Sequence, residues 1–163
     1  MLSFLGFIPA TAQISQEWQQ KFNMTFERNE VGLSTTEDYL GNIYVTGNSQ
    51  VAIYNSKLIT IKYDSNGNQI WVKEFSGSMG CNAARSIIVD DQLNIYVLAI
   101  SLTSNSNGFD YALIKYDSNG NENWVSYYNG PASLDDNPTG MGLDSQGNIY
   151  VCGGSDNSNS GSD

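Results

Sequence analysis

Apolar and polar residues alternate at a period of two along most of the chain, which is the period of a β-strand. In the central part this alternation predicts four strands, at residues 85–89, 94–99, 111–116 and 123–128. Turn-forming residues fill the gaps between these strands, at 90–93, 101–110 and 117–121. No stretch keeps a helical period, so the pattern predicts an all-β fold.

The same pattern recurs at an interval of about fifty-three residues. The sequence Ile-Lys-Tyr-Asp-Ser-Asn-Gly-Asn stands unchanged at residues 61–68 and 114–121. The tryptophans keep this interval, at Trp18, Trp71 and Trp124. Gly-Asn-Ile-Tyr-Val, or a one-residue variant of it, stands at 41–45, 93–97 and 147–151. Four antiparallel strands in a repeat of this length are typical of a β-propeller blade, and recurring aromatic residues then pack between blades.

The phase of the repeat divides the chain into blades. We predict two complete blades, at residues 31–77 and 82–130, and two partial ones, at 16–30 and 137–163. Closed propellers have about four to eight blades, so we expect this chain to be a fragment of a larger propeller and to contact its remaining blades. Closure by assembly of short chains is the alternative.

The first twelve residues have the pattern of a secretory signal peptide. Apolar residues dominate positions 2–10, and Ala10 and Ala12 supply the small residues of a cleavage site. No Lys or Arg precedes the apolar run, and an ordinary first strand is the alternative interpretation. We therefore predict cleavage after Ala12, a mature chain of residues 13–163, and a secreted or cell-surface location without membrane insertion.

These motifs resemble the bacterial β-propeller repeat family called SBBP. Residues 41–47 read Gly-Asn-Ile-Tyr-Val-Thr-Gly, and residues 71–77 and 124–130 each run from Trp to Gly. The resemblance covers the chain from about residue 16 onward, and it implies an exported bacterial protein without implying one activity. Three places depart from the pattern: Leu93 replaces Gly, Cys152 replaces Thr, and 31–37 is a poor first strand.

Composition narrows the class of partner. Seventeen acidic and seven basic residues give a net charge of −10, which disfavours nucleic acid and anionic membranes as partners. The chain has no His, the commonest general base and metal ligand. Its two cysteines, Cys81 and Cys152, lack zinc or redox spacing, so we predict structural roles for both, with a disulfide as the alternative.

The repeated Asp-Ser-Asn-Gly-Asn segments are the candidate cation sites, because Asp and Asn oxygens are calcium ligands. The candidate ligands are Asp64, Asn66, Asn68, Asp117, Asn119 and Asn121. A hairpin turn is the favoured interpretation, since Gly comes too early for a helix–loop–helix calcium site and no Glu stands at the twelfth position. The acidic segments 135–137 and 156–163 raise the same question.

Other recurring polar residues have structural and functional interpretations. Asp38, Asp90 and Asp144 occur once per blade, and capping of a tight turn is favoured over a ring of acids that binds a cation or sugar. Two lysines stand in strands beside tyrosines, as Lys62-Tyr63 and Lys115-Tyr116. We expect solvent-exposed ammonium groups and tyrosines packed between blades, rather than nucleophiles or sugar-stacking rings.

The repeats are close to identical and no residue cluster interrupts them as a catalytic site would. We therefore predict no catalytic residue and no bound cofactor, with calcium as the alternative. The favoured function is a non-catalytic extracellular scaffold whose loops at one end bind a protein or a glycan. Two alternatives stay open: a fragment of a secreted carbohydrate-active lyase or hydrolase whose active site lies on other blades, and a structural spacer of a cell-surface protein.

Overall fold

The chain is known from a computed structural model that describes residues 2–3, 6–7, 14–15, 18–22, 29–52, 55–77, 79–80, 82–103 and 108–156, the first three of these ranges and residue 51 as backbone only. These residues form fourteen strands and no helix. The all-β prediction is therefore confirmed. The described part of the chain contains no helix that is long and apolar enough to cross a membrane.

The N-terminal segment contains four short strands. They are β1 (Leu2–Ser3), β2 (Gly6–Phe7), β3 (Ile14–Ser15) and β4 (Gln19–Gln20). Strand β1 pairs with β4, and β2 pairs with β3, all antiparallel. Cleavage after Ala12, which lies outside the described residues, would remove β1 and β2. The signal peptide and the boundaries of the first partial blade stay predictions.

The first four-stranded sheet is an antiparallel blade in which strands follow one another in chain order. Its strands are β5 (Glu30–Glu37), β6 (Ile43–Ala52), β7 (Asn55–Tyr63) and β8 (Gln69–Phe75). Strand β5 covers the segment 31–37, which departs from the family pattern as a poor first strand and nevertheless forms the first strand of this blade. Most of its side chains are exposed or half-buried, so pairing of its backbone with β6 suffices and apolar residues are not required.

The second sheet repeats this order with β9 (Asn82–Val89), β10 (Ile95–Leu102), β11 (Phe109–Tyr116) and β12 (Glu122–Tyr128). All four strands predicted for the central repeat are confirmed. Strands β13 (Asp136–Leu143) and β14 (Ile149–Ser155) pair as a two-stranded antiparallel sheet, which we call the third sheet. The prediction of β-propeller blades with four antiparallel strands is therefore confirmed.

The main core lies between the first and second blades. Tyr44, Leu58 and Phe75 of the first blade pack against a face of the second that includes Val97 and Ile114. A smaller cluster covers the opposite face of the first blade, where Trp18 and Phe22 pack on buried residues. The blades are thus stacked face to face, as expected for apolar sheets that cannot bury both faces alone.

Each blade aligns a Tyr, a Lys and a Trp on neighbouring strands. In the first blade Lys62 is the register partner of both Tyr44 and Trp71, and its Nζ lies 5.1 Å from the centroid of the Tyr44 ring. Trp71 Nε1 donates a hydrogen bond of 3.2 Å to the carbonyl oxygen of Ser118, in a turn of the second blade. The predicted packing of the recurring tryptophan between blades is therefore confirmed at Trp71.

The expected solvent exposure of the Lys62 ammonium group is wrong. Lys62 is only 7% exposed, and its Nζ donates to the carbonyl oxygen of Ser118 at 3.4 Å. The next blade covers it, which no pattern within one strand reveals. Lys115 is half-buried over the Tyr96 ring. The predicted burial of the tyrosines that follow these lysines, Tyr63 and Tyr116, is confirmed.

Candidate functional site

The antiparallel strand order places the connections at two opposite ends of the blades. The turns between the first and second strands, and between the third and fourth, form what we call the turn end: residues 38–42, 64–68, 90–94, 117–121 and 144–148. The connections between second and third strands, and from blade to blade, form the loop end; its described residues are 52, 55, 75–77, 79–80, 82, 102–103, 108–109 and 128–136.

The turn end is built from capping carboxylates. Asp38 Oδ1 accepts hydrogen bonds from the backbone N–H groups of Leu40 and Asn42, each at 2.9 Å. Asp38 Oδ2 accepts from Asn42 Nδ2 at 2.8 Å and from the Tyr44 hydroxyl at 2.9 Å. The same four bonds recur at Asp90 and Asp144. The predicted turn-capping role of these three aspartates is confirmed.

One backbone position in each of these turns is left-handed. Four of the turns place a glycine there, with φ between +77° and +81°, at Gly41, Gly67, Gly120 and Gly147. The fifth places Leu93 there, at φ +62°. A left-handed conformation costs an L-residue about 1–2 kcal/mol, so the departure at Leu93 is a strained form of the same turn.

A groove opens at the loop end between the first and second blades, with a volume of about 450 Å³. Polar side chains line it, five of them amides: Asn29, Asn48, Gln50, Asn55, Ser56 and Asn82. Apolar residues complete the lining: Val31, Ala52, Ala83, Ile100 and Phe109. A few hundred cubic ångströms lined by apolar surface and a few polar groups is typical of a ligand site.

Four of the five amides already make hydrogen bonds in the groove walls, among them Asn82, whose Nδ2 donates to the carbonyl oxygen of Ser56 at 3.4 Å. Asn48 Oδ1 accepts a hydrogen bond of 2.7 Å from the backbone N–H of Ala84 and so links the two blades. Asn29 Nδ2 donates to Gln50 Oε1 at 3.3 Å, with both side chains near solvent. Sequence reasoning did not single out these amides, because each stands in a polar segment that looks like any other. Once the strands are assigned to blades, these amides are found to share a position beside the loop-end connections, and that shared position could have identified them.

The comparison with protein families found a match in the last part of the chain. Residues 123–159 match the family model of the SBBP repeat, a β-propeller repeat. The chain carries an SBBP repeat. The resemblance predicted from the motifs is therefore confirmed over residues 123–159. No curated protein matches the chain.

The calcium candidates lie in two turns, each of which follows the third strand of a blade. Asp64 Oδ1 accepts from the backbone N–H groups of Asn66 and Asn68, and its Oδ2 accepts from Asn68 Nδ2 at 2.8 Å. Asp117 makes the same three bonds with Asn119 and Asn121. In the described part of the chain, no three His, Cys, Asp or Glu side chains come together as metal ligands. Calcium binding by these turns stays a prediction.

The acidic segment before the third sheet lies at the loop end. Asp135 Oδ1 accepts a hydrogen bond of 2.8 Å from the backbone N–H of Phe109, and Asp136 Oδ2 accepts one of 2.6 Å from that of Gly130. Both carboxylates thus connect the third sheet to the second blade. Most of the acidic tail, residues 157–163, lies outside the described residues.

The two cysteines differ in what the structure describes. Cys152 is a free, exposed thiol within β14, and its Sγ contacts the carbonyl oxygen of Gly140 at 3.6 Å. Cys81 lies outside the described residues. A role for the pair stays a prediction.

The capping bonds of the turns between first and second strands lower the pKa of their carboxyl groups. Hydrogen bonds from Asn148 lower the pKa of the Asp144 carboxyl from 3.8 to about 2. Burial raises the pKa of Asp38 and Asp90, but hydrogen bonds from the neighbouring Asn and Tyr side chains outweigh it and hold both pKa values below the usual range. The folded state therefore favours the ionised form of each carboxyl.

These lowered pKa values predict a loss of stability in acid. The unfolded chain takes up protons at a higher pH than the folded chain, so we expect the free energy of unfolding to fall as the pH drops from about 4 toward 2. Urea unfolding at a series of pH values measures this. Asp144→Asn should flatten part of the slope, whereas Asp91→Asn, an exposed change of equal charge, should keep it. Equal slopes in both variants would contradict this origin.

Proposed function

We propose that the chain is a non-catalytic extracellular β-propeller scaffold whose loop-end groove binds a glycan. The observation that carries the proposal is the lining of the groove, where the solvent-accessible amides of Asn29, Gln50 and Asn55 stand beside apolar residues, Phe109 among them. Amides both donate and accept hydrogen bonds, as sugar hydroxyls do, and an aromatic ring offers a face for a sugar ring.

The contrast between the two ends supports placing the ligand at the loop end. At the turn end, five turns of one design use their carboxylates for internal hydrogen bonds. At the loop end, the connections differ in length and sequence from blade to blade. Binding residues concentrate on variable loops that a rigid scaffold holds in place.

The extracellular location in this proposal rests on the sequence. The apolar run at residues 2–10, followed by small residues at Ala10 and Ala12, supports export. A net charge of −10 keeps protein molecules apart in solution, which supports an extracellular protein that is not bound to an anionic surface. A protein segment in the groove is the competing partner, and the experiment distinguishes the two.

Screening the whole chain against an array of bacterial and plant glycans tests the proposal. We expect a set of related glycans to bind, and replacement of both Asn29 and Gln50 by Ala to weaken that binding about tenfold or more. Asn119→Ala is the matched control, because its exposed side chain lies at the turn end. The proposal fails if no glycan binds, or if the double variant and the control bind equally.

A further inference from the structure

A row of three oxygen-bearing side chains crosses the second blade at its loop end. Ser101 on β10 is the register partner of Asn82 on β9 and of Asp110 on β11. Directly opposed residues of antiparallel strands project from the same face of a sheet. This row faces the first blade, because Ala99, two residues before Ser101 on its strand, belongs to the core between the blades.

All three side chains are buried and each has an oxygen atom without a hydrogen-bond partner. Their exposed fractions are 2% for Asn82, 0% for Ser101 and 1% for Asp110. The unpaired atoms are Asn82 Oδ1, Ser101 Oγ and Asp110 Oδ1. Burial of a carboxylate oxygen without a hydrogen-bond partner costs free energy. We therefore expect a ligand beside this row that carries positive charge or donates hydrogen bonds.

Two of these oxygens lie close to a common point beside Gly77. A Cβ atom added to Gly77, in the connection from the first blade, would lie 2.7 Å from both Asn82 Oδ1 and Ser101 Oγ. Asn82 Nδ2 donates to the carbonyl oxygen of Ser56 at 3.4 Å, which orients the amide and leaves its Oδ1 in the row. Asp110 Oδ2 accepts from the Thr103 hydroxyl, and Oδ1 is left without a donor.

The first blade carries a cation of its own at the equivalent place. Ser49 is the register partner of both Glu30 and Lys57, as Ser101 is of Asn82 and Asp110. Lys57 Nζ lies 2.8 Å from Glu74 Oε2. The second blade thus has a carboxylate where the first has an ammonium group, and an amide where the first has Glu30, so its row holds no positive charge of its own.

We propose that a hard metal cation of the calcium type binds between the first and second blades, with Asn82 Oδ1, Ser101 Oγ and Asp110 Oδ1 as its protein ligands. Carboxylate, amide and hydroxyl oxygens are the ligands that such cations take, and water or backbone carbonyls complete their coordination. The site differs from the turn-end candidates, whose aspartate oxygens already accept internal hydrogen bonds. A buried water molecule is the competing occupant.

Calcium titration of the whole chain, by calorimetry and by thermal unfolding with and without a chelator, tests the proposal. We expect calcium to raise the unfolding temperature and the chelator to reverse the rise. Asp110→Asn should abolish the rise and should unfold at a higher temperature than the unsubstituted chain when calcium is absent, because a buried charge is removed. Ser101→Ala should weaken calcium binding about tenfold, as loss of one ligand does.

Two controls decide where a calcium response originates. Asp91→Asn makes the same change of charge at an exposed position and should keep the response. Asp117→Ala removes a turn-end carboxylate and should also keep it. Absence of any calcium response, or a response that survives both Asp110→Asn and Ser101→Ala, would overturn the proposal and assign the row to water. If Asp110→Asn does not fold, the Ser101→Ala titration decides alone.

Discussion

Replacing Trp71 with Ala is expected to lower the free energy of unfolding by about 3–5 kcal/mol, the usual cost of removing a large packed aromatic side chain. The Trp71 ring lies 6.0 Å from the Tyr44 ring of its own blade. Its Nε1 donates to Ser118 in the next blade, and Gly120 of the same turn lies against the indole. The substitution therefore removes contacts within one blade and between two. Urea unfolding followed by circular dichroism measures the loss.

Trp124→Ala is the matched control for this prediction. Trp124 holds the same position in the second blade, 6.3 Å from the Tyr96 ring, but it is 38% exposed. We expect a loss of about 1–2 kcal/mol, since less apolar surface leaves water there on folding. The difference between the two variants measures what stacking against the next blade contributes. Equal losses would instead assign the stability to the Tyr–Trp contact within each blade.

The blades could be predicted from the sequence because their signals are local. Alternation at period two and the Asp-x-x-Gly-Asn turns depend on residues within a few positions of one another, and both were sufficient for the strands of the second blade. The signal for strand β5 is weak in the sequence, because the pairing of its backbone with β6, and not the burial of its side chains, holds it in the sheet. The burial of Lys62 was missed because it depends on a turn some fifty residues further on.

The candidate sites also differ in whether they depend on neighbouring or on distant residues of the sequence. The capping role of Asp38 follows from its own turn and was predictable. Strand register brings Asn82, Ser101 and Asp110 together from three strands, and no short motif contains them. Aligning the repeats offers one signal, because Asp110 stands where the first blade has Lys57. The groove likewise exists only once two blades are stacked.

Gly67→Ala is expected to cost about 2–5 kcal/mol, the sum of two effects. Gly67 has φ +81°, which an L-residue adopts at a cost of about 1–2 kcal/mol. A Cβ there would also lie 2.7 Å from Cδ2 of Trp18, an indole ring that packs on Tyr63. Forcing an atom into a packed contact costs about 1–3 kcal/mol. Urea unfolding of the whole chain measures the total.

Gly147→Ala separates the two effects, because Gly147 has the same φ of +81° and a Cβ there would meet nothing within 4 Å. We expect this variant to lose only the backbone contribution, about 1–2 kcal/mol. Because the backbone costs are equal, the excess at Gly67 measures how firmly the Trp18 indole is held against the turn of the first blade. If Gly67→Ala and Gly147→Ala lose the same free energy of unfolding, the indole of Trp18 moves aside freely. The contact between Trp18 and this turn would then contribute nothing to the stability of the first blade.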